Sequence, residues 1–515
     1  MVSRRDALKL SAAGLAGIRF ANSVTPLAAE SGDPSVWNWM GNAGHTGEFP
    51  GPGLDFSAPL GERWRVPEQW DSALSGHVQD RLLVTRRLDR GFYARAWRIE
   101  AIDSKDGSII WSRNAPGYDS YAPGDSFAST PVPPSDGIPF SSRVVVHKNS
   151  IILTNANGQL RGIDTDTGED LWNIDSGHKW IDPPTVVGDI AFSLASGGLC
   201  AIELGDTPSI LWNADAKESN LRFLGVENNL VWIGGSKSIS ALDVQTGSEY
   251  WKTPINDLWE SGFDGWYGIA AGLGLFQNGS ADLLTSIDFN GSIAWSIDDT
   301  SHNDNQKVIV NNTISRFTPT SSNWETCRIE CLSIEKGESQ WSFDLATDRW
   351  TNTDSGYSVC EGVAYYSLYD QYEDEVVLLA IDPIEVNVLA LGGTNLLPKL
   401  VTGGVMYARD RQTDELVCIG TVPGVLQSEG RAKPLSATTL YGAPNPSSAN
   451  KGTVEADTVL TLAGNREETP DGDWWPVSDA ASGLSGWLPA DILEGLDGDI
   501  RFQPVDLEEF GHFIS

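Results

Sequence analysis

The chain has 515 residues, 40% hydrophobic and 20% charged, a balance that fits folded globular protein and excludes extended disorder. Twenty Trp and 53 Gly against three Met point to short strands, tight turns and recurring large apolar anchors. The formal net charge of −35 excludes nucleic acid and anionic membrane faces as partners, because both require clustered Lys and Arg.

The N-terminus reads MVSRRDALKLSAAGLAG. Arg4 and Arg5 precede a short, weakly apolar stretch, and small residues follow near Ala28 and Ala29. The run Ser3-Arg4-Arg5-x-Ala7-Leu8-Lys9 resembles a twin-arginine signal peptide, with Ala7 where that family usually has Phe. The apolar stretch is too short and interrupted to span a bilayer. Residues 1–30 are therefore set aside as a signal. The resemblance implies export in a folded state, to the periplasm, the cell surface or the medium. No second apolar run of about 20 residues follows, so no integral membrane segment is expected once the signal is removed.

Internal repetition dominates the next 390 or so residues, as expected of stacked supersecondary units. Five segments align: IEAIDSKDGSIIW ending at Trp111, LRGIDTDTGEDLW at Trp172, ISALDVQTGSEYW at Trp251, LLTSIDFNGSIAW at Trp295 and IECLSIEKGESQW at Trp341. LCAIELGDTPSILW, ending at Trp212, is a sixth with one extra residue. VLLAIDPIEVNVLA keeps Ala380, Ile381 and Asp382 but loses the Gly and the Trp, and ELVCIG keeps only a strand. Successive Trp residues are about 40 to 60 apart, within reach of one four-stranded sheet plus loops. In the typical unit a strand ends in small–aliphatic–Asp. The small residue lets a ring approach, the Asp can cap turn amides two residues on, and the Gly supplies a positive-φ turn position. The Trp closing the next strand brings an apolar surface on the order of 200 Å² and an indole N–H that needs an acceptor.

This pattern resembles the tryptophan-docking motif of the PQQ-binding-like propeller repeat. Ala101, Asp103, Gly107 and Trp111 match it, as do Gly162, Asp164, Gly168 and Trp172, and Ala241, Asp243, Gly247 and Trp251. The lead-in VWNWMGNAGHTGEFPGPG, Val36 to Gly53, also looks like the segment that precedes such propellers. Trp64 in GERWRV has no docking strand before it, while 397–420 supplies inner strands with no outer one. With Trp64, Trp111, Trp172, Trp212, Trp251, Trp295, Trp341 and the degraded end near Leu389, the resemblance implies an eight-bladed β-propeller over 35–425, its last blade completed by the strand around Trp64. A seven-bladed ring remains open at this point.

Beyond Gly430, the stretch 431–452 reads as linker and loop, rich in Pro, Ser, Ala and Asn. GTVEADTVLTLAGN, DGDWWPVSD and SGLSGWLPADILE resemble a bacterial SH3-like β-barrel, placed at 431–495 and followed by an acidic tail, 496–515, expected to be loosely held. The whole chain is thus expected to be all-β. Trp474 and Trp487 could line a ligand groove there or belong to the core.

The chemistry-bearing residues are sparse. Six His form no HxH, HxxxH or HExxH pattern, and five Cys include no CxxC. Cys327 and Cys331 would be about 13 Å apart in a strand, too far for a disulfide. Asp164 to Glu169 looks like the start of a calcium loop but lacks its Gly, and a hairpin turn accounts for it better. Pyrroloquinoline quinone with calcium, the cofactor of dehydrogenases that share the repeat, is disfavoured: those enzymes carry two adjacent Cys over the cofactor, and no two Cys are adjacent here. No catalytic, cofactor-binding or metal-binding residue is therefore assigned. Three segments, 116–140, 257–268 and 347–358, read as long inter-blade loops, and Trp259, Trp266, Tyr267 and Trp350 as an aromatic contact patch or as packing between blades. The expected role is a monomeric, non-catalytic binding or scaffolding protein whose partner is a protein or a cell-wall polymer. A quinoprotein oxidoreductase is the alternative.

Overall fold

The computed structural model describes residues 36–37, 48–49, 51–67, most of 73–422 outside its longer connecting segments, and most of 431–504. The signal-like residues 1–30, Trp259 and the whole segment 116–140 lie outside the described residues. The chain divides into two compact units, whose boundary passes through the strands Leu60–Pro67 and Glu415–Thr421.

The larger unit is an eight-bladed β-propeller. Eight antiparallel sheets each contain four strands in radial order. In blade 1 these are Ala73–Val78, Arg81–Arg87, Trp97–Asp103 and, outermost, Ile109–Asn114. Blades 2 to 7 follow the same plan, with outer strands Asp170–Asp175, Ser209–Asp215, Glu249–Pro254, Ile293–Asp298, Ser339–Ala346 and Asn387–Thr394. Blade 8 takes Leu396–Thr402, Val405–Asp410 and Glu415–Thr421 from the end of the repeats and its outer strand, Leu60–Pro67, from the beginning. Eight blades, with a composite last one, settle the count that the sequence left between seven and eight.

Register explains the repeat. The small slot of each unit sits directly across from its own Trp: Ala101 with Trp111, Gly162 with Trp172, Ala201 with Trp212, Ala241 with Trp251, Ser286 with Trp295 and Cys331 with Trp341. Ala380 opposes Leu389, which confirms Leu389 as the replaced Trp of blade 7. A bulge follows the slot in blades 1 to 6, so the residue before the Trp has no cross-strand partner. Ile110, Leu171, Leu211 and Tyr250 are left exposed there. Blade interiors pack as layered aliphatic clusters; one joins Trp64, Leu82, Ala101, Ile151, Tyr407 and Cys418.

Two inner strands carry an extra neighbour from the lead-in. Val36–Trp37 pairs antiparallel with the inner strand of blade 2, Val145–His147. Glu48–Phe49 pairs in parallel with the inner strand of blade 7, Trp350–Cys360.

The smaller unit is a separate antiparallel sheet. Its strand order is Asn450–Val454, Thr438–Tyr441, Ser485–Pro489, Gly472–Ser478, Leu460–Leu462, Arg431–Pro434 and Leu493–Gly495. Its core joins Ala432, Leu440, Val454, Leu460, Leu462, Trp475, Val477 and Leu488. The stretch 431–452 is therefore not a linker: Ala432 and Leu440 are fully buried in this core, an alternation hidden by the Pro and Ser around them. Part of the tail is held as well. Leu496 N donates to Arg431 O at 2.9 Å, Ile500 N to Leu60 O at 3.1 Å, and Phe502 meets Phe56 edge-on at 5.0 Å. Residues 505–515 lie outside the described residues.

Candidate functional site

The docking seams are built by one rule. Where the motif's Asp is kept it caps its turn: Asp103 Oδ1 accepts from Lys105 N at 2.7 Å, Asp164 Oδ1 from Asp166 N and Thr167 N at 2.8 Å each, and Asp243 Oδ1 from Thr246 N at 2.8 Å. Asp164 thus spends its carboxylate on its own turn, as the hairpin reading required. The indole of one blade then lies on the turn of the next. Trp212 donates to Val244 O at 2.9 Å, and a Cβ on Gly247 (φ +67°) would stand 2.5 Å from its ring. Gly247 is demanded twice, by its backbone angle and by the ring. The same N–H bond recurs from Trp64 to Ser104 O (2.9 Å), Trp111 to Thr165 O (2.8 Å), Trp251 to Phe289 O (2.8 Å), Trp295 to Ile334 O (2.8 Å) and Trp341 to Pro383 O (2.8 Å). Trp64 closes the circle. Its neighbour Arg65 ties the outer strand to its own blade through Asp410 Oδ2 at 2.7 Å and Glu415 Oε2 at 2.8 Å.

One seam departs. The turn that should receive Trp172 carries the extra residue and no docking Gly, and Gly205 has nothing within 4 Å of a built Cβ. The ring of Trp172 packs against Val186, Cys200, Ile202 and Leu204 of blade 3 and also fills the space above Gly162, where a Cβ would fall 2.2 Å from Cε2. The ring that needs the small slot is thus the blade's own. Gly162→Ala, although it restores the commonest residue of the motif, is expected to destabilise the propeller by about 1–3 kcal/mol through overpacking. Chemical denaturation of the variant checks this; a gain in stability would show that the Trp172 ring can shift to admit a Cβ.

A second set of latches joins the hairpin turns between each blade's two inner strands. His147 Nε2 and Lys148 Nζ meet Asp189 Oδ1 at 2.9 and 2.5 Å, joining blades 2 and 3. These contacts hold the Asp189 carboxyl below the usual range, with Lys148 the main cause. Glu227 accepts from Gly272 N at 2.9 Å between blades 4 and 5, and burial pushes its carboxyl up. Asn311 Nδ2 donates to Gly362 O at 3.3 Å between blades 6 and 7. At the closing seam His77 lies 5.9 Å from Tyr407, ring to ring, and a Cβ on Gly403 would touch it at 3.0 Å. Burial drives the His77 pKa down to about 4, against a smaller opposing pull from Asp80. Sequence reading missed these latches because His, Glu and Asn recur there without a shared motif.

The residues singled out for ligand contact do not gather. Trp266 and Tyr267 belong to the inner strand of blade 5, Trp266–Ala270, and Trp350 heads the inner strand of blade 7. Reading 266–268 and 350–358 as loop was therefore wrong: Trp266–Ala270 is short, with Tyr267 at a bulge before Gly268, and Trp350–Cys360 carries Asn, Asp and Gly that disguise it, while 257–265 and 347–349 lie outside the described residues. Trp259 is outside the described residues. In the smaller unit Trp474 is only 3% exposed and packs edge-on against Tyr441 at 5.4 Å, so it is interior rather than the wall of an open groove. Its Nε1 is buried with no acceptor among the described residues. Trp487, opposite Tyr441 in register, stays half-buried.

Burial pushes the Cys200 thiol up to about 12 and the Cys331 thiol up to about 11, which suppresses the nucleophilic thiolate. Cys200, Cys331, Cys360 and Cys418 are buried thiols outside any disulfide. Among the described residues no group of three or more His, Cys, Asp or Glu is placed to hold a metal ion, and no helix is long and apolar enough to cross a membrane.

Residues 95–257 match the family model described as "Outer membrane protein assembly factor BamB". A protein of that name from Shewanella oneidensis is 24% identical over 171 residues, 32% of this chain and 41% of the relative. The chain thus matches about two fifths of that relative's length. Among solved structures, BamB from Moraxella catarrhalis aligns at 14% identity and a TM-score of 0.44, covering 70% of this chain and 99% of that one. A europium-containing methanol dehydrogenase aligns at 14% identity and a TM-score of 0.45, covering 76% and 99%.

Proposed function

We propose that the chain is an exported, non-catalytic propeller that binds a protein partner outside the cytoplasmic membrane. The observation that carries this reading is the use already made of its reactive side chains. The docking carboxylates cap turns, burial holds the Cys200 and Cys331 thiols protonated, and His77 is held neutral inside a seam. The match of 95–257 to a family named for outer-membrane protein assembly supports a protein rather than a small molecule as the partner. The smaller unit is an SH3-like barrel in this reading, with Trp487 facing peptide or cell-wall polymer. The protein acts as a monomer, and Arg4 and Arg5 direct it to the twin-arginine route.

The test is a capture from the envelope of the producing cell, using the full chain, a chain without 431–495, and an Arg4→Lys/Arg5→Lys control that should stay in the cytoplasm. In parallel, purified protein is given pyrroloquinoline quinone and calcium. Stoichiometric uptake of the chromophore with alcohol-dependent dye reduction would overturn the proposal in favour of a quinoprotein oxidoreductase.

A further inference from the structure

The lead-in is seated as a ligand would be. Glu48 and Phe49 run parallel to Val359 and Cys360, adding a strand to the inner edge of blade 7. The segment then crosses to blade 8. Cys360 Sγ donates to Gly51 O at 3.2 Å, Gly404 N donates to Pro52 O at 2.9 Å, and Gly53 N donates to Glu361 Oε2 at 3.0 Å. Beneath it the two inner strands are joined by a bond from Val401 N to Ser358 Oγ at 3.0 Å. The floor discriminates by size. A Cβ on Gly51, at φ +100°, would stand 3.2 Å from Thr402 Oγ1 and 3.3 Å from Gly403 N. A Cβ on Gly53 would stand 3.2 Å from Tyr365 Oη. Phe49 packs on the aliphatic cluster of the closing seam.

Backbone pairing at a strand edge, an aromatic anchor, one position whose backbone angle demands glycine and a second that a Cβ would crowd are the parts of a peptide-recognition site. We propose that the inner edges of blades 7 and 8 form a binding site for an extended segment of the pattern aromatic–x–Gly–x–Gly, and that residues 48–53 are its resident occupant, exchangeable for a partner's segment of the same pattern. The partner is an extended chain of another protein, held mainly by its backbone. This goes beyond a general binding role and names one surface and one chemistry.

A synthetic peptide of residues 34–53, fluorescently labelled, is titrated into a chain that begins at Leu54. Saturable binding is expected, and the Gly51→Ala peptide should bind about tenfold or more weakly. Absence of binding by a folded chain would overturn the proposal. Should that chain not fold, a protease site is placed between Gly53 and Leu54 of the full chain and cut after folding. The cut segment should stay bound, leave in the presence of excess 34–53 peptide, and resist the Gly51→Ala peptide. Loss of the segment on cutting with unchanged thermal stability, or equal displacement by both peptides, would refute it.

Discussion

Trp64→Ala is expected to lower stability by about 3–5 kcal/mol, whereas Trp172→Ala should cost only about 1–2 kcal/mol. Both residues occupy the same position of the repeat. Trp64 is 7% exposed, donates to Ser104 O at 2.9 Å, lies against Gly107 and meets Tyr407 at 5.9 Å. Removing it empties the seam and leaves the Ser104 carbonyl without its donor. It also frees the one outer strand that arrives from the far end of the chain. Trp172 is half-buried; its ring lies over Gly162 and against the cluster of Cys200, Ile202 and Leu204 of blade 3, with no docking Gly beneath it. Denaturant titration followed by circular dichroism measures both losses, since removing a Trp would distort a fluorescence comparison. Equal losses would mean that burial at the motif position, not docking onto the next blade, sets the energy.

The second large effect is acid-dependent. His77 has a folded pKa of about 4 against an ordinary 6.5, so the unfolded chain binds its proton first. The folded state is favoured in full above pH 6.5. Stability falls as pH drops from 6.5 toward 4 and levels off below, for a loss of about 3 kcal/mol from this residue. The depressed carboxyls act lower on the scale. Asp80, paired with Lys105, and Asp410, bonded to Arg65 although burial opposes the shift, lose their contribution only as pH falls below the usual carboxylate range. His77→Phe keeps a ring against Tyr407 and removes the titration. Thermal melts between pH 4.5 and 7 should flatten in the variant. Parallel decline of both proteins would assign the acid sensitivity elsewhere.

The propeller was legible because its strongest physical demand is local. Asp, Gly and Trp fall within one hairpin, so Asp243, Gly247 and Trp251 state the turn cap, the positive φ and the seam anchor in nine residues. Even the composite blade could be inferred, because Trp64 was an outer strand without inner ones. What stayed hidden depends on contacts distant in sequence. The latch from His147 to Asp189 spans 42 positions and Cys360 to Gly51 spans 309, and neither pair carries a pattern. The inner strands were misread for a related reason. Trp350–Cys360 reads WTNTDSGYSVC, a turn-like composition, and it is strand because its neighbour Val363–Asp370 pairs with it through a bulge. In the smaller unit, Trp474 and Trp487 could not be ranked from sequence, since one aromatic strand position faces inward and the next sheet edge decides the other.

The borrowed outer strand has a consequence for biosynthesis. Arg65 and Asp410 are 345 positions apart, so no ribosome can complete that blade until nearly all of the repeats have emerged. Until then Leu60–Pro67 is an orphaned edge with an apolar indole, and the nascent chain must hold it unpaired through the formation of seven sheets. Ring closure is then a late contact of high sequence separation, the kind that slows folding. A stalled or truncated translation product would carry well-formed blades and still be open, sticky and prone to capture by quality control.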